Sequence, residues 1–145
     1  MRMTTRGRYA LRAMLETAQC EKDGPVSLKH ISDTQDISKK YLGKLFDRLK
    51  NAGLVISIRG PKGGYLLGKE PDSISIGAII RAAEGPITTV RCVEKSTNKR
   101  CSRLKKCVCH LYWEKLEKHI SDFLDSSSLL DLCKGAKDKK TSRPI

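Results

Sequence analysis

The chain changes from helical to strand period at Gly53, and few architectures accommodate that change. Up to Asn51 the apolar residues recur at helical spacing. Ala10, Leu11, Ala13, Met14, Leu15 and Ala18 line one helix, capped at Thr4-Thr5 and running to about Gln19. Leu28 and Ile31 mark a short helix that starts after Ser27 and ends near Thr34. Ser38 caps a third, on which Tyr41, Leu42, Leu45, Phe46 and Leu49 share a face. Gly53 then acts as a C-terminal stop. Beyond it Leu54 to Arg59 reads as a strand with Leu54, Ile56 and Ile58 on one side. Gly60-Pro61-Lys62-Gly63-Gly64 turns the chain, and Tyr65-Leu66-Leu67 returns it as a β-hairpin.

Three helices followed by a two-stranded hairpin predict a winged helix-turn-helix. A further helix is expected from Ser75 to Ala83, closed by Gly85-Pro86. Another runs from about His110 to Leu124, with Trp113, Leu116, Ile120, Phe123 and Leu124 in one stripe, until Ser126-Ser127-Ser128 interrupts it before Leu129 to Leu132. The expected fold class is therefore mainly α with a β-hairpin wing and a long additional helix. Its parts are a DNA-binding domain over 1–70, a connecting helix over 71–90, a cysteine-rich loop over 91–110, a long helix over 110–133 and a flexible basic tail over 134–145. No apolar run approaches a membrane span, and the first residues lack the apolar stretch of a signal peptide, so no membrane and a cytoplasmic location are expected.

Charge gives the hairpin domain a purpose. The 145 residues carry a net charge of +13, which points to a polyanionic partner. Residues 1–69 hold 14 Lys+Arg against 6 Asp+Glu, a local balance of +8. The face of the third helix opposite its apolar one carries Lys39, Lys40, Gly43, Lys44, Asp47 and Arg48, and Ser38 and Tyr41 join Lys39, Lys40, Gly43 and Lys44 as expected DNA-binding residues. Cations and small residues of this kind suit approach to a major groove, with Lys40, Gly43 and Lys44 nearest the bases. Arg59, Gly60 and Lys62 form a tight cationic tip, suited to a minor groove and its phosphates. Double-stranded DNA is the expected partner. The same glycine-rich tip lacks the spacing and the Lys-Ser/Thr pair of a nucleotide-binding loop.

The cysteines form a second pattern. Four of six lie at Cys92-x8-Cys101-x5-Cys107-x-Cys109, followed at once by His110. Seven cations and one acid occupy residues 91–106, a setting that favours thiolates and offsets the negative charge of a thiolate-held group. Soft thiolates with one imidazole suit an iron–sulfur cluster, zinc or copper(I). The long gaps fit an open, loop-held cluster better than the paired short knuckles of structural zinc, and leave Cys109 and His110 as rival ligands. Cys20 and Cys133 read as small buried hydrophobes and His30 and His119 as fillers. A thiol oxidoreductase built on Cys107-Val108-Cys109 would need an α/β scaffold that the helical pattern does not supply, so no catalytic residue is assigned.

The opening Met1-Arg2-Met3-Thr4-Thr5-Arg6-Gly7-Arg8-Tyr9-Ala10, the helix Tyr41-Leu42-x-x-Leu45-Phe46, the wing Leu54-Val55-x-Ser57-x-Arg59-Gly60-Pro61-x-Gly63-Gly64-Tyr65-Leu66-Leu67-Gly68 and Cys107-x-x-His110-x-x-Trp113 closely resemble the Rrf2 family of bacterial winged-helix repressors. Within it they resemble the cluster-binding branch. The resemblance covers about residues 1–132. It implies a homodimer paired through the helix from about His110 to Leu124. It also implies a 2Fe–2S cluster held by Cys92, Cys101, Cys107 and His110, rather than a 4Fe–4S cluster or zinc, and control of cluster-assembly genes. The first two cysteines stand further apart than in that branch, and Gly43 replaces a glutamate of its recognition helix. Arg8 occupies the place of an acidic ligand in the nitric-oxide-sensing relatives. Repressors of the same family that sense redox state, nitric oxide or a thiol metabolite, or hold zinc alone, are the alternatives.

Overall fold

A computed structural model describes residues 3–94 and 101–141. Helix α1 (Thr5–Cys20) buries Gly7, Ala10, Ala13, Met14 and Thr17 along one face. Thr17 satisfies its buried hydroxyl by donating to the Ala13 carbonyl at 2.9 Å. Helix α2 (Leu28–Gln35) begins where the Ser27 hydroxyl accepts from the His30 N–H at 3.1 Å, and ends at Asp36 in a left-handed conformation (φ 53°). The Ser38 hydroxyl caps α3 (Lys39–Asn51) by accepting from the Tyr41 N–H at 3.2 Å. Leu42, Leu45, Phe46 and Leu49 of α3 are buried. Gly53 (φ 73°) closes it, its N–H bonding to Lys50 O and the next N–H to Leu49 O.

The wing consists of β1 (Val55–Ile58) and β2 (Gly64–Leu67), antiparallel, with Val55 opposite Leu67 and Ile58 opposite Gly64. A third backbone segment joins them: Val26 and Tyr65 exchange N–H···O bonds of 2.8 and 2.9 Å. Gly64 is required at this join, because a Cβ there would sit 2.5 Å from the Val26 backbone. The expected inward trio of Leu54, Ile56 and Ile58 does not form. Leu54 is buried where α3 passes into the hairpin, its N–H bonding to Leu49 O and its carbonyl accepting from the Gly68 N–H at 2.9 Å. Val55 is the buried strand residue, whereas Ile56 and Ile58 face solvent.

Helix α4 (Ile76–Glu84) is capped by the Ser75 hydroxyl and packs across α1. Its terminal Glu84 carboxylate accepts from the Gly7 N–H at 2.8 Å and from the Thr4 hydroxyl. Helix α5 (Val108–Ser126) packs on α4, where Asp125 accepts from Ser75 at 3.2 Å and pairs with Arg81. Trp113, Leu116, Ile120 and Leu124 are half-buried, but Phe123, expected in the same stripe, is exposed. One residue is a 100° step on a helix, and Phe123 falls on the outer edge. Helix α6 (Leu129–Thr141) starts where Ser128 and Asp131 cap one another and packs back on α1 and the turn at Pro71–Ser73. Leu129 is fully buried in the common core. The segment expected as a flexible tail from Lys134 is thus helical as far as Thr141. A single Gly135 costs only about 1 kcal/mol, and no proline intervenes before residue 144.

Candidate nucleic-acid interface and metal centre

The outward face of α3 is set by its own packing. With four apolar residues turned inward, Ser38, Lys39, Lys40 and Lys44 are exposed. Tyr41 is half-buried and meets Tyr9 edge-on at 5.8 Å, which gives it a packing duty as well. Gly43 has open space where a side chain would stand, since a Cβ would meet nothing within 4 Å. The protein's own packing therefore does not demand glycine there. Replacing it removes the mid-helix glycine cost, so Gly43→Ala is expected to raise stability by about 0.5–1 kcal/mol in a urea titration.

Arg6 is a cation that helical periodicity does not single out. It shares a cavity of about 250 Å³ with Tyr41, Lys44 and Arg48. Its only signal in the sequence is the basic opening segment. At the wing tip Arg59, Gly60 and Lys62 are all exposed, and the turn closes through Gly63 N–H to Gly60 O at 2.9 Å. Tip and helix are linked through packing: the Phe46 ring of α3 lies 4.6 Å from that of Tyr65 in β2.

The cysteine segment is organised around the start of α5. Cys92 is half-buried in the turn beside buried Val93, and Cys101 is exposed and opens the turn that receives the Leu104 N–H at 3.1 Å. Cys107 occupies the N-cap position of α5, and the His110 N–H bonds to its carbonyl at 3.2 Å. Cys107 and His110 line a cavity of about 230 Å³ with Leu104, Lys106 and Leu111. Cys109, between them in sequence, is exposed and does not line it. His110 holds the most informative atom: Nδ1 is buried and has no hydrogen-bond partner among the described residues. Its other nitrogen, Nε2, lies 3.3 Å from Glu114 Oε1. A proton on Nε2, shared with that carboxylate, leaves the Nδ1 lone pair available, the arrangement that orients an imidazole ligand. Among the described residues, no three of Cys92, Cys101, Cys107 and His110 bring ligand atoms within 4.8 Å of one another. Residues 95–100, between the first two, lie outside the described residues.

A different trio does meet that distance: Glu16, Cys20 and His30. Sequence reasoning reads Cys20 and His30 as separate fillers, and the packing of α1 on α2 brings them together. Burial pushes the Glu16 carboxyl up, but hydrogen bonds from His30, Gln35 and Cys20 and the His30 charge outweigh it, so Glu16 titrates below its ordinary value. The spacing of Glu16 and Cys20, one helical turn apart, is the signal that the sequence offers.

Comparison with known proteins agrees with this arrangement. The Rrf2 family, described as an iron-dependent transcriptional regulator, matches residues 3–135. The chain is 46% identical over 132 residues to the HTH-type transcriptional regulator IscR of Erwinia tasmaniensis, covering 91% of this chain and 78% of that one. Identity to IscR of Yersinia pestis is also 46%, over 91% of this chain and 79% of the relative. Among solved structures, T. potens IscR superposes with a TM-score of 0.77 at 37% identity, covering 99% of this chain and 94% of the other. CymR, titled the global cysteine regulator of B. subtilis, gives 0.73 at 41% identity over 92% and 97%. These relatives are regulators of transcription and not enzymes, and no helix among the described residues is long and apolar enough to cross a membrane. The chain belongs to the Rrf2 family of transcriptional regulators.

Proposed function

We propose that this chain is a cytoplasmic repressor that binds promoter DNA as a homodimer and whose grip on DNA depends on a bound iron–sulfur cluster. The observation that carries this reading is the buried Nδ1 of His110 beside Cys107, without a hydrogen-bond partner among the described residues. A soft thiolate and an imidazole held through Glu114 at one helix start suit a 2Fe–2S cluster, with Cys92 and Cys101 completing the set. When bound, such a group supplies an occupancy that responds to iron and to oxidants. His110 rather than Cys109 is the fourth ligand, since Cys109 lies outside the cavity. Cluster-assembly genes are the proposed targets, as the resemblance to the cluster-binding branch of the family implies.

The chain's own residues connect this site to DNA. Cys107 and His110 fix the first turn of α5. Asp125 near its other end holds α4 through Arg81 and Ser75, and Glu84 of α4 holds the start of α1. Val108, Leu111, Tyr112 and Phe123 are exposed along one outer face of α5, which has no buried residue of its own. That face pairs with its copy in the dimer, and so sets the relation of the two reading heads. Lys40, Gly43 and Lys44 read bases, with Ser38 and Tyr41 alongside. Arg59 and Gly60 enter the minor groove, and Lys39 and Lys62 hold phosphates.

Two half-sites with several phosphate contacts each predict a steep salt dependence. Six to ten contacts correspond to a loss of roughly 10³–10⁵ in affinity between 50 and 200 mM salt. Titration of a promoter fragment is expected to show that fall, and Lys62→Ala to lower the slope by about one unit for each phosphate it releases. An affinity indifferent to salt would contradict the interface.

A further inference from the structure

The trio Glu16, Cys20 and His30 shares no residue with the cluster site, and its geometry is that of ligands around one cation. Glu16 and Cys20 project from the last turns of α1, and His30 lies in the first turn of α2. Cys20 Sγ stands 3.4 Å from Glu16 Oε1 and 3.6 Å from His30 Nε2. His30 Nε2 and Glu16 Oε1 are 2.9 Å apart. Metal–ligand bonds of about 2.0–2.3 Å at tetrahedral angles separate neighbouring donors by roughly 3–4 Å, so the three atoms need only small adjustments. An outer layer is also in place. Gln35 Nε2 donates to Glu16 Oε2 at 2.8 Å, and Arg12 Nε donates to Gln35 Oε1 at 3.1 Å. These bonds hold one carboxylate oxygen away and leave Oε1 turned toward the thiol and the imidazole. Cys20 and His30 line a cavity of about 600 Å³ whose other wall includes Pro61, Lys62 and Gly63 of the wing tip. A fourth ligand, water or a small molecule, has room to enter there.

We propose that Glu16, Cys20 and His30 form a second metal site, for a single thiophilic divalent cation of the zinc class, which clamps α1 to α2 beside the wing tip. On binding, the Cys20 thiol and the His30 Nε2–H each give a proton up, the imidazole staying neutral with its one proton on Nδ1, and the His30–Glu16 hydrogen bond is replaced by two metal bonds. No electron transfer is involved. The clamp lies at the root of the helix pair that carries α3.

Cobalt(II) is the probe that tests it, because a thiolate ligand gives a charge-transfer band and a tetrahedral site gives visible d–d bands. The background is the full chain with Cys92, Cys101, Cys107 and Cys109 replaced by Ser, so that the cluster thiols cannot respond. One equivalent of cobalt is expected to develop both sets of bands. Cys20→Ser removes the charge-transfer band, and His30→Gln weakens cobalt binding by about tenfold or more, since losing even an outer partner of a ligand typically costs that much. The His30 ring is about half exposed and its backbone N–H alone serves the Ser27 cap, so that variant keeps the fold. Cys133→Ser leaves the bands unchanged. A chain that binds no stoichiometric cobalt, or whose charge-transfer band survives Cys20→Ser, overturns the site.

Discussion

Phe46→Ala is expected to destabilise the fold by about 3–5 kcal/mol. The ring is fully buried in the common core and is tilted 54° against Tyr65 of β2. Removing it leaves a cavity and also cuts the contact that fixes the wing to α3. A chain of this size typically has about 5–15 kcal/mol in total, so the substitution removes a large share of its stability. At roughly 2–4 °C per kcal/mol, the thermal midpoint falls by roughly 6–20 °C. Calorimetry or circular dichroism measures this directly. A loss under about 1 kcal/mol, well below the range for a buried ring, would mean that the hairpin is not packed on α3 as described.

The paired substitution Tyr112→Asp with Phe123→Asp is expected to act in the opposite way, leaving the fold and abolishing the dimer. Both side chains are already exposed in the single chain, at 63% and 71%. Surface changes away from structural contacts usually shift stability by less than about 0.5 kcal/mol. In a twofold interface each residue counts twice, and apolar anchors there cost about 2 kcal/mol or more apiece. Two anchors on two chains thus remove roughly 8 kcal/mol, enough to weaken a nanomolar dimer to about the millimolar range. Sedimentation should report a monomer with wild-type circular dichroism. Promoter affinity should collapse with it, because a single reading head holds one half-site. A variant that remains dimeric would place the interface elsewhere.

The sequence revealed most where the determining interactions are local. Ser27, Ser38 and Ser75 each cap a helix within three residues, and Gly53 ends α3 through its own φ. The period change there is therefore readable, as is the resulting winged helix. What escapes such a reading depends on contacts distant in sequence. Leu54 reads as a strand residue until its N–H is seen to bond Leu49. Gly7 reads as an ordinary helix residue until Glu84, 77 positions away, is found bonded to its N–H, where a Cβ would lie 2.3 Å from the carboxylate. The meeting of Cys20 with His30 requires α1 and α2 to pack. The spacing of Cys92, Cys101, Cys107 and His110 points to a metal-ligating chemistry, yet it takes the packing to show that His110 Nδ1 is buried without a hydrogen-bond partner among the described residues. The basic stretch after Lys134 gives no sign that its helix continues, since the cap that starts it, Ser128 with Asp131, lies upstream.

The most direct test of cluster dependence is anaerobic reconstitution with iron and sulfide, followed by visible absorption and metal analysis of wild type, Cys107→Ala and His110→Ala. The proposed centre predicts a coloured wild-type chain with two irons and two sulfides per protomer, a colourless Cys107→Ala and an altered spectrum for His110→Ala. In parallel, promoter affinity should differ between the loaded and the cluster-free wild type. A colourless wild type carrying stoichiometric zinc, or one whose promoter affinity is the same with and without the cluster, would contradict it.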